Sequence, residues 1–197
     1  VAVRVRGEVV TRIVAGTARG RRLQVPPQVT RPTSDRVREA LFSSLDALDA
    51  VRGAQVLDLF AGSGALGLEA LSRGAQRATL VDSAPVAAAT MTANIAAVGL
   101  PGAEVRKMTC ATFLRGPVHA YDLVFLDPPY DLATTEVGAL VSSLTLGWLA
   151  PEALVVVERG PRGTDLTWPA GFGKTWQRRF GDTHLLRAVW YGHDQIP

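Results

Sequence analysis

The chain has 197 residues, 47% of them hydrophobic and 20% charged. That suits one ordinary globular domain with a real core and excludes a disordered tail or a fibrous repeat. A single cysteine, Cys110, leaves no disulfide framework and no cysteine-rich metal site, which fits a reducing, cytoplasmic compartment. No apolar run approaches the roughly 20 residues of a membrane span, and the opening VAVRVRGEVV lacks the apolar block of a signal peptide. Net charge is +3 but unevenly placed. Residues 1–40 hold nine Arg against Glu8, Asp35 and Glu39, a balance of +6, and the remainder carries −3. A basic arm on a mildly acidic body implies a polyanionic partner. All the basic residues except Lys107 and Lys174 are Arg, whose planar fork suits phosphates and base edges.

From the N-terminus, RIVAG and RRLQV are short strand candidates around a turn at Thr17–Gly20, a β-hairpin appended to the body. Ser34 is a plausible N-cap for a helix over 34–45. Strands are expected at 54–60, 77–82, 104–108, 121–127 and 153–158. Helices are expected at 65–74, 85–99 and 134–149, with Pro85 in a first turn and Gly74 and Gly99 as stops. Residues 160–173 read as a long surface loop, and 174–181 with 184–192 as a closing hairpin turning at Gly181-Asp182. Apolar strands alternating with helices mean a parallel sheet covered on both faces. The expected division is a basic extension over 1–33 and a main domain over 34–197.

Two motifs carry chemistry. FAGSGALG places Gly62, Gly64 and Gly67 as G-x-G-x-x-G between a strand and a helix, and Asp82 ends the next strand. Glycines there permit a tight turn and close backbone approach, and the carboxylate suits two ribose hydroxyls, so the site reads as a nucleoside site. LDPPY follows the fourth strand. Two prolines cannot continue a ladder, so they form a rigid corner. Asp127 and a neighbouring carbonyl can accept both hydrogens of a planar amine, and Tyr130 offers a stacking face. That is the equipment for methylating an exocyclic amine, and a dehydrogenase has no use for it.

VLDLFAGSGALGLEA (56–70) with DPPY (127–130) resembles the amino-methyltransferases that use S-adenosylmethionine. RIVAGTARGRRLQVP (12–26) and RPTSDRVREALFSSL (31–45) narrow the resemblance to the bacterial RsmD family, from about Thr11 to Tyr191. The resemblance implies a Rossmann-like α/β class I fold, a seven-stranded mostly parallel sheet with an N-terminal β-hairpin extension. It implies methyl transfer to N2 of one guanosine in 16S ribosomal RNA. By the same resemblance Asp58, Gly62 and Gly64 line the methionine end of the cofactor, beside Phe60 and Gly67, and Asp82 binds its ribose. Asp127, Pro128, Pro129 and Tyr130 form the base site. The segment that flanks the adenine in the family reads MTCATF here, so Thr109 or Cys110 stands where an acidic or amide side chain is usual. Cys110 itself reads as a small buried hydrophobe rather than a nucleophile.

Arg12, Arg19, Arg21, Arg22, Arg31, Arg36 and Arg38 are the RNA-binding candidates. Phosphate contacts of this kind weaken steeply with salt. Expected partners are 16S rRNA or the small ribosomal subunit, with no membrane and no metal; the three His lack ligand spacing, and a monomer is expected. The competing reading, a DNA adenine-N6 or cytosine-N4 amino-methyltransferase, shares DPPY but leaves no room for a target-recognition domain.

Overall fold

In chain order the elements are β1 (Val3–Val5), β2 (Glu8–Arg12), β3 (Arg22–Gln24), α1 (Asp35–Asp46), β4 (Gln55–Leu59), α2 (Ala65–Ser72), β5 (Arg77–Asp82), α3 (Pro85–Val98), β6 (Ala103–Lys107), α4 (Cys110–Phe113), β7 (Tyr121–Leu126), α5 (Thr134–Leu144), β8 (Leu149–Arg159), β9 (Phe172–Phe180) and β10 (Thr183–Trp190). They come from a computed structural model that describes residues 3–5, 8–26, 34–161 and 165–193. The main sheet has seven strands in the order β6-β5-β4-β7-β8-β10-β9. β4 to β8 pair in parallel, and β10 runs antiparallel to both β8 and β9. The order reverses between β4 and β7, which are neighbours although β5 and β6 lie between them in sequence. Ligand crevices of open α/β sheets form outside the carboxyl ends of the strands at such a switch point.

Both faces of the central strands are apolar, as parallel pairing requires. Val56, Leu123, Phe125, Leu154 and Val156 point to one face, where α1, α2 and α3 pack. Leu57, Leu59, Val124, Leu126, Val155 and Val157 point to the other, against α4 and α5. Ser34 caps α1 as expected, accepting from Val37 N–H. The helix expected at 134–149 stops at Leu144, because the chain turns at Gly147 (φ 97°) into a β8 that starts earlier than its apolar run. The short helix α4 has no counterpart in the sequence reading.

The N-terminal segment departs from a simple hairpin. β2 pairs with β3 as expected, and β1 adds a third antiparallel strand. The segment is also stitched into the body. Ile13, Ala18 and Leu23 are buried in the same apolar cluster as α1 and α2. Glu69, wholly buried on α2, accepts the backbone N–H groups of Val14 (2.7 Å) and Ala15 (3.0 Å). Ser72 accepts from Ala18 N–H and donates to the Ala15 carbonyl. A Cβ on Gly16 would lie 1.8 Å from the Ser72 carbonyl oxygen, so only glycine fits there. Asn94 of α3 grips the Gln24 backbone from both sides and also donates to the Ser63 carbonyl in the glycine loop.

Candidate active site

β4 ends in Asp58 and Leu59, and the chain then turns sharply. Phe60 takes a left-handed φ of 62°, unusual for a bulky residue and a sign of backbone held under constraint. Gly62 (φ 55°) and Gly64 (φ 76°) complete the turn, and Gly64 caps α2. Gly67 serves packing: a Cβ there would come within 2.3 Å of Leu80. Its N–H donates to Asp58 Oδ2 at 2.9 Å, which ties the first turn of α2 to the strand end. Asp82 accepts from Gly62 N–H and from Ala84 N–H, each at 2.9 Å, and so holds the loop against the end of β5.

The second half of the site follows β7. Asp127 N–H donates to the Leu59 carbonyl (3.3 Å), which sets the corner beside the glycine turn. Tyr130 is 44% exposed, and its hydroxyl meets Thr183 Oγ1 at 3.2 Å and Glu158 Oε1 at 3.5 Å. Its ring lies on the backbone of Gly160, where a Cβ would meet ring carbons at 2.9 Å. Burial raises the phenol's pKa, so it stays a neutral donor.

Both halves open on one cavity of about 900 Å³, walled by Asp58, Phe60, Gly62, Asp82, Asp127 and the corner from Pro128 to Tyr130. Small-molecule sites span roughly 300–1,000 Å³. Asp58 is fully buried on this wall; its Oδ1 has no hydrogen-bond partner, and burial together with Asp127 and Asp82 raises its pKa to about 8. An unsatisfied buried carboxyl is costly unless a ligand completes it. A cationic group would do so: three carboxylates face the cavity, and an ammonium or sulfonium centre relieves their mutual repulsion. The first turn of α2 reaches the wall through Ala65 and Leu66, and its N–H groups offer a seat for a ligand carboxylate. An amino acid bearing a nucleoside fits this donor set.

Three expectations need correction. Thr109 and Cys110 do not line the cavity. Thr109 Oγ1 caps α4 by accepting from Thr112 N–H (3.1 Å), and Cys110 is buried with its thiol pushed up to about 12 by burial. Arg38 is 1% exposed, so it is not an RNA contact. Its Nη2 donates to Thr11 Oγ1, to Asp35 Oδ1 and to the Arg12 carbonyl, bolting α1 to the N-terminal strands. Arg12, Arg19, Arg21, Arg22 and Arg36 are exposed; Arg12 pairs with Asp35 (3.3 Å) and Arg21 donates to the Ala97 carbonyl. Arg31 lies outside the described residues. Trp168 packs on Phe172 rather than at the cavity. Asn94 and Asp182 were not singled out from the sequence. Nothing in an Ala-rich helix or a hairpin turn shows that the first clamps the glycine loop and the second walls the cavity. Among the described residues no group of His, Cys, Asp or Glu is arranged to hold a metal, and no helix is long and apolar enough to cross a membrane.

Fold and site together define the class I methyltransferase architecture, with an amine-binding proline corner beside the glycine loop. The family described as Conserved hypothetical protein 95 matches residues 11–189. The ribosomal RNA small subunit methyltransferase D of Escherichia coli K12 is 43% identical over 152 residues, covering 75% of this chain and 73% of that protein. The protein of the same name from Haemophilus influenzae is 39% identical over 160 residues, covering 78% and 79%. The solved structure of yhhF from Escherichia coli superposes with a TM-score of 0.81 at 36% identity, covering 93% of this chain and 99% of that one. The chain belongs to this family, the RsmD family.

Proposed function

We propose that this protein transfers a methyl group from S-adenosylmethionine to the exocyclic N2 of a guanosine in the 16S rRNA of the small ribosomal subunit, acting as a cytoplasmic monomer. The observation that carries the reading is the single cavity joining Asp58 and Asp82 to the corner at Asp127–Tyr130. Cofactor and target amine must meet within reach of one carbon atom, and a shared cavity permits that.

When bound, S-adenosylmethionine supplies an electrophilic methyl carbon on a sulfonium centre. Asp58 Oδ1 holds the amino group of the methionine part, the first turn of α2 its carboxylate, and Asp82 the ribose hydroxyls. Asp127 and the Pro128 carbonyl accept the two hydrogens of the guanine amine and turn its lone pair toward the methyl carbon. Tyr130, fixed by Thr183 and Glu158, stacks on the base. Positioning contributes most of the rate, because aligned reactants avoid a large entropic barrier. The methylated amine is strongly acidic, so its proton leaves readily to Asp127 or to water.

Residues 1–33 serve as the RNA-binding segment, through Arg12, Arg19, Arg21 and Arg22, with Arg36 beside them on α1. Because this segment is packed into the core, its deletion is not a clean test of RNA binding. The decisive experiment supplies methyl-labelled cofactor to small-subunit particles, to naked 16S rRNA and to duplex DNA in parallel, then identifies the labelled nucleoside by mass. N2-methylguanosine from the rRNA is the expected product. N6-methyladenine or N4-methylcytosine from the DNA would overturn the reading.

A further inference from the structure

The carboxylate of Asp182 sits on the cavity wall together with Asp127 and Tyr130, although it comes from the far end of the chain. It occupies the two-residue turn between β9 and β10, where Phe180 pairs with Thr183 and Gly181 takes a φ of 61°. The turn is held at both ends. Arg179 Nε donates to the Gly181 carbonyl at 2.8 Å, and Thr183 Oγ1 meets the Tyr130 hydroxyl at 3.2 Å. The ring offered to the base and the turn that presents Asp182 are therefore joined by one hydrogen bond.

A carboxylate at the mouth of a site for a polyanion repels phosphate and needs a compensating donor. Asp131, also on the wall, stands just before α5, where a negative charge is favoured by the helix N-terminus. No helix end accounts for Asp182. The base supplies a candidate donor. In guanine the ring nitrogen N1 next to the N2 amine carries a hydrogen. In adenine and in cytosine the ring nitrogen next to the exocyclic amine is an acceptor. A site that binds one amine through Asp127 can tell these bases apart by placing a second acceptor beside it.

We propose that Asp182 accepts the N1–H of the target guanine and is the specificity-determining residue that excludes adenine and cytosine from the corner at Asp127–Tyr130. This rests on the guanine-N2 reading above. An acceptor facing an acceptor leaves two unpaired lone pairs in the closed site, and sites built for a donor reject analogues lacking it strongly.

The test compares small-subunit particles carrying guanosine at the methylated position with particles reconstituted to carry 2,6-diaminopurine riboside there. The analogue keeps the N2 amine and lacks the N1 hydrogen. The wild-type enzyme should favour guanosine by at least about tenfold in kcat/KM, as expected for a hydrogen bond to a charged group. Asp182→Ala should lower the guanosine rate by a similar factor and leave the analogue little changed, so that the preference collapses. Asp182→Asn keeps a good turn residue and offers both a donor and an acceptor, so it should flatten the preference while restoring rate on the analogue. If both substrates decline together in the variants, Asp182 only shapes the turn and the assignment is wrong. It is equally wrong if wild-type preference persists in both variants while guanosine N2 is still methylated. If the wild-type enzyme labels an adenine or cytosine amine, the guanine reading fails first and the assignment falls with it.

Discussion

Asp58 and Glu69 lie on consecutive elements, both buried to 1% exposure or less, yet they sit in opposite kinds of surroundings. Glu69 accepts from two backbone N–H groups and from Arg73 Nε (2.8 Å), with Arg38 Nε 3.7 Å away. Asp58 accepts from one N–H and keeps an oxygen without a partner on the cavity wall. Burial alone therefore does not mark a functional carboxylate. A buried carboxylate whose oxygens are all engaged builds the fold, and one left open is held for a ligand.

The largest effect that could break this contrast is on stability. Glu69→Ala strands two backbone donors and brings the buried Arg38 and Arg73 together without their shared counter-charge. It should cost about 3–5 kcal/mol, the usual penalty for breaking a buried ion pair from one side. Urea unfolding followed by circular dichroism measures it, and a midpoint near wild type would remove Glu69 from the structural class. Next in size, Asp127→Ala should lower turnover by at least about a hundredfold, the range of acid–base and positioning groups, with calorimetric cofactor affinity near normal. A wild-type methylation rate would take Asp127 out of the site.

Much of the contrast was legible beforehand. The strand–glycine–helix pattern at 56–70 and the proline corner at 127–130 are read from residues whose backbone needs are peculiar, so their places at the sheet edge follow from local chemistry. The helix–strand alternation likewise fixes a parallel sheet. What was not legible depends on partners distant in sequence. Arg38 reads as one more arginine of a basic arm until the fold shows it closed over by Thr11, Asp35 and the Arg12 carbonyl. Thr109 resembles a ligand contact until its hydroxyl is seen capping α4. Val1–Val10 fall outside the family resemblance, yet β1 and most of β2 lie there. The roles of Asn94 and Glu69 require knowing that the N-terminal strands lie on α2 and α3.

Protonation sharpens the Asp58 half of the comparison. Its carboxyl is raised from 3.8 to about 8, chiefly by burial. Between those values the folded protein keeps a proton that the unfolded chain releases. The cofactor-free protein should therefore lose stability from this group as pH rises from about 4 to about 8, with no further change outside that window. A cationic amino group favours the ionised form, so cofactor affinity should rise with pH toward 8, by up to about tenfold per unit. Calorimetric titrations between pH 6 and 8 check this. Asp58→Asn should remove the slope, weaken binding and leave unfolding nearly unchanged or improved. A pH-independent affinity in the wild type would mean that Asp58 does not meet the cofactor's cation.

The smallest effects separate the arginines themselves. Arg12, Arg19 and Arg22 are exposed on the N-terminal strands and their turn, and each replaced by Ala should weaken rRNA binding modestly and lower the slope of log affinity against log salt by about one. Arg21 shares its guanidinium with the Ala97 carbonyl and should contribute less. Arg38→Ala should behave differently, with a lower unfolding midpoint and a salt slope that stays put, because its charge is spent inside the protein. If Arg38→Ala changes the salt slope as Arg19→Ala does, buried and exposed arginines are not two populations. The argument that engagement, rather than residue type, decides which charges meet the ligand would then fail at its least protected point.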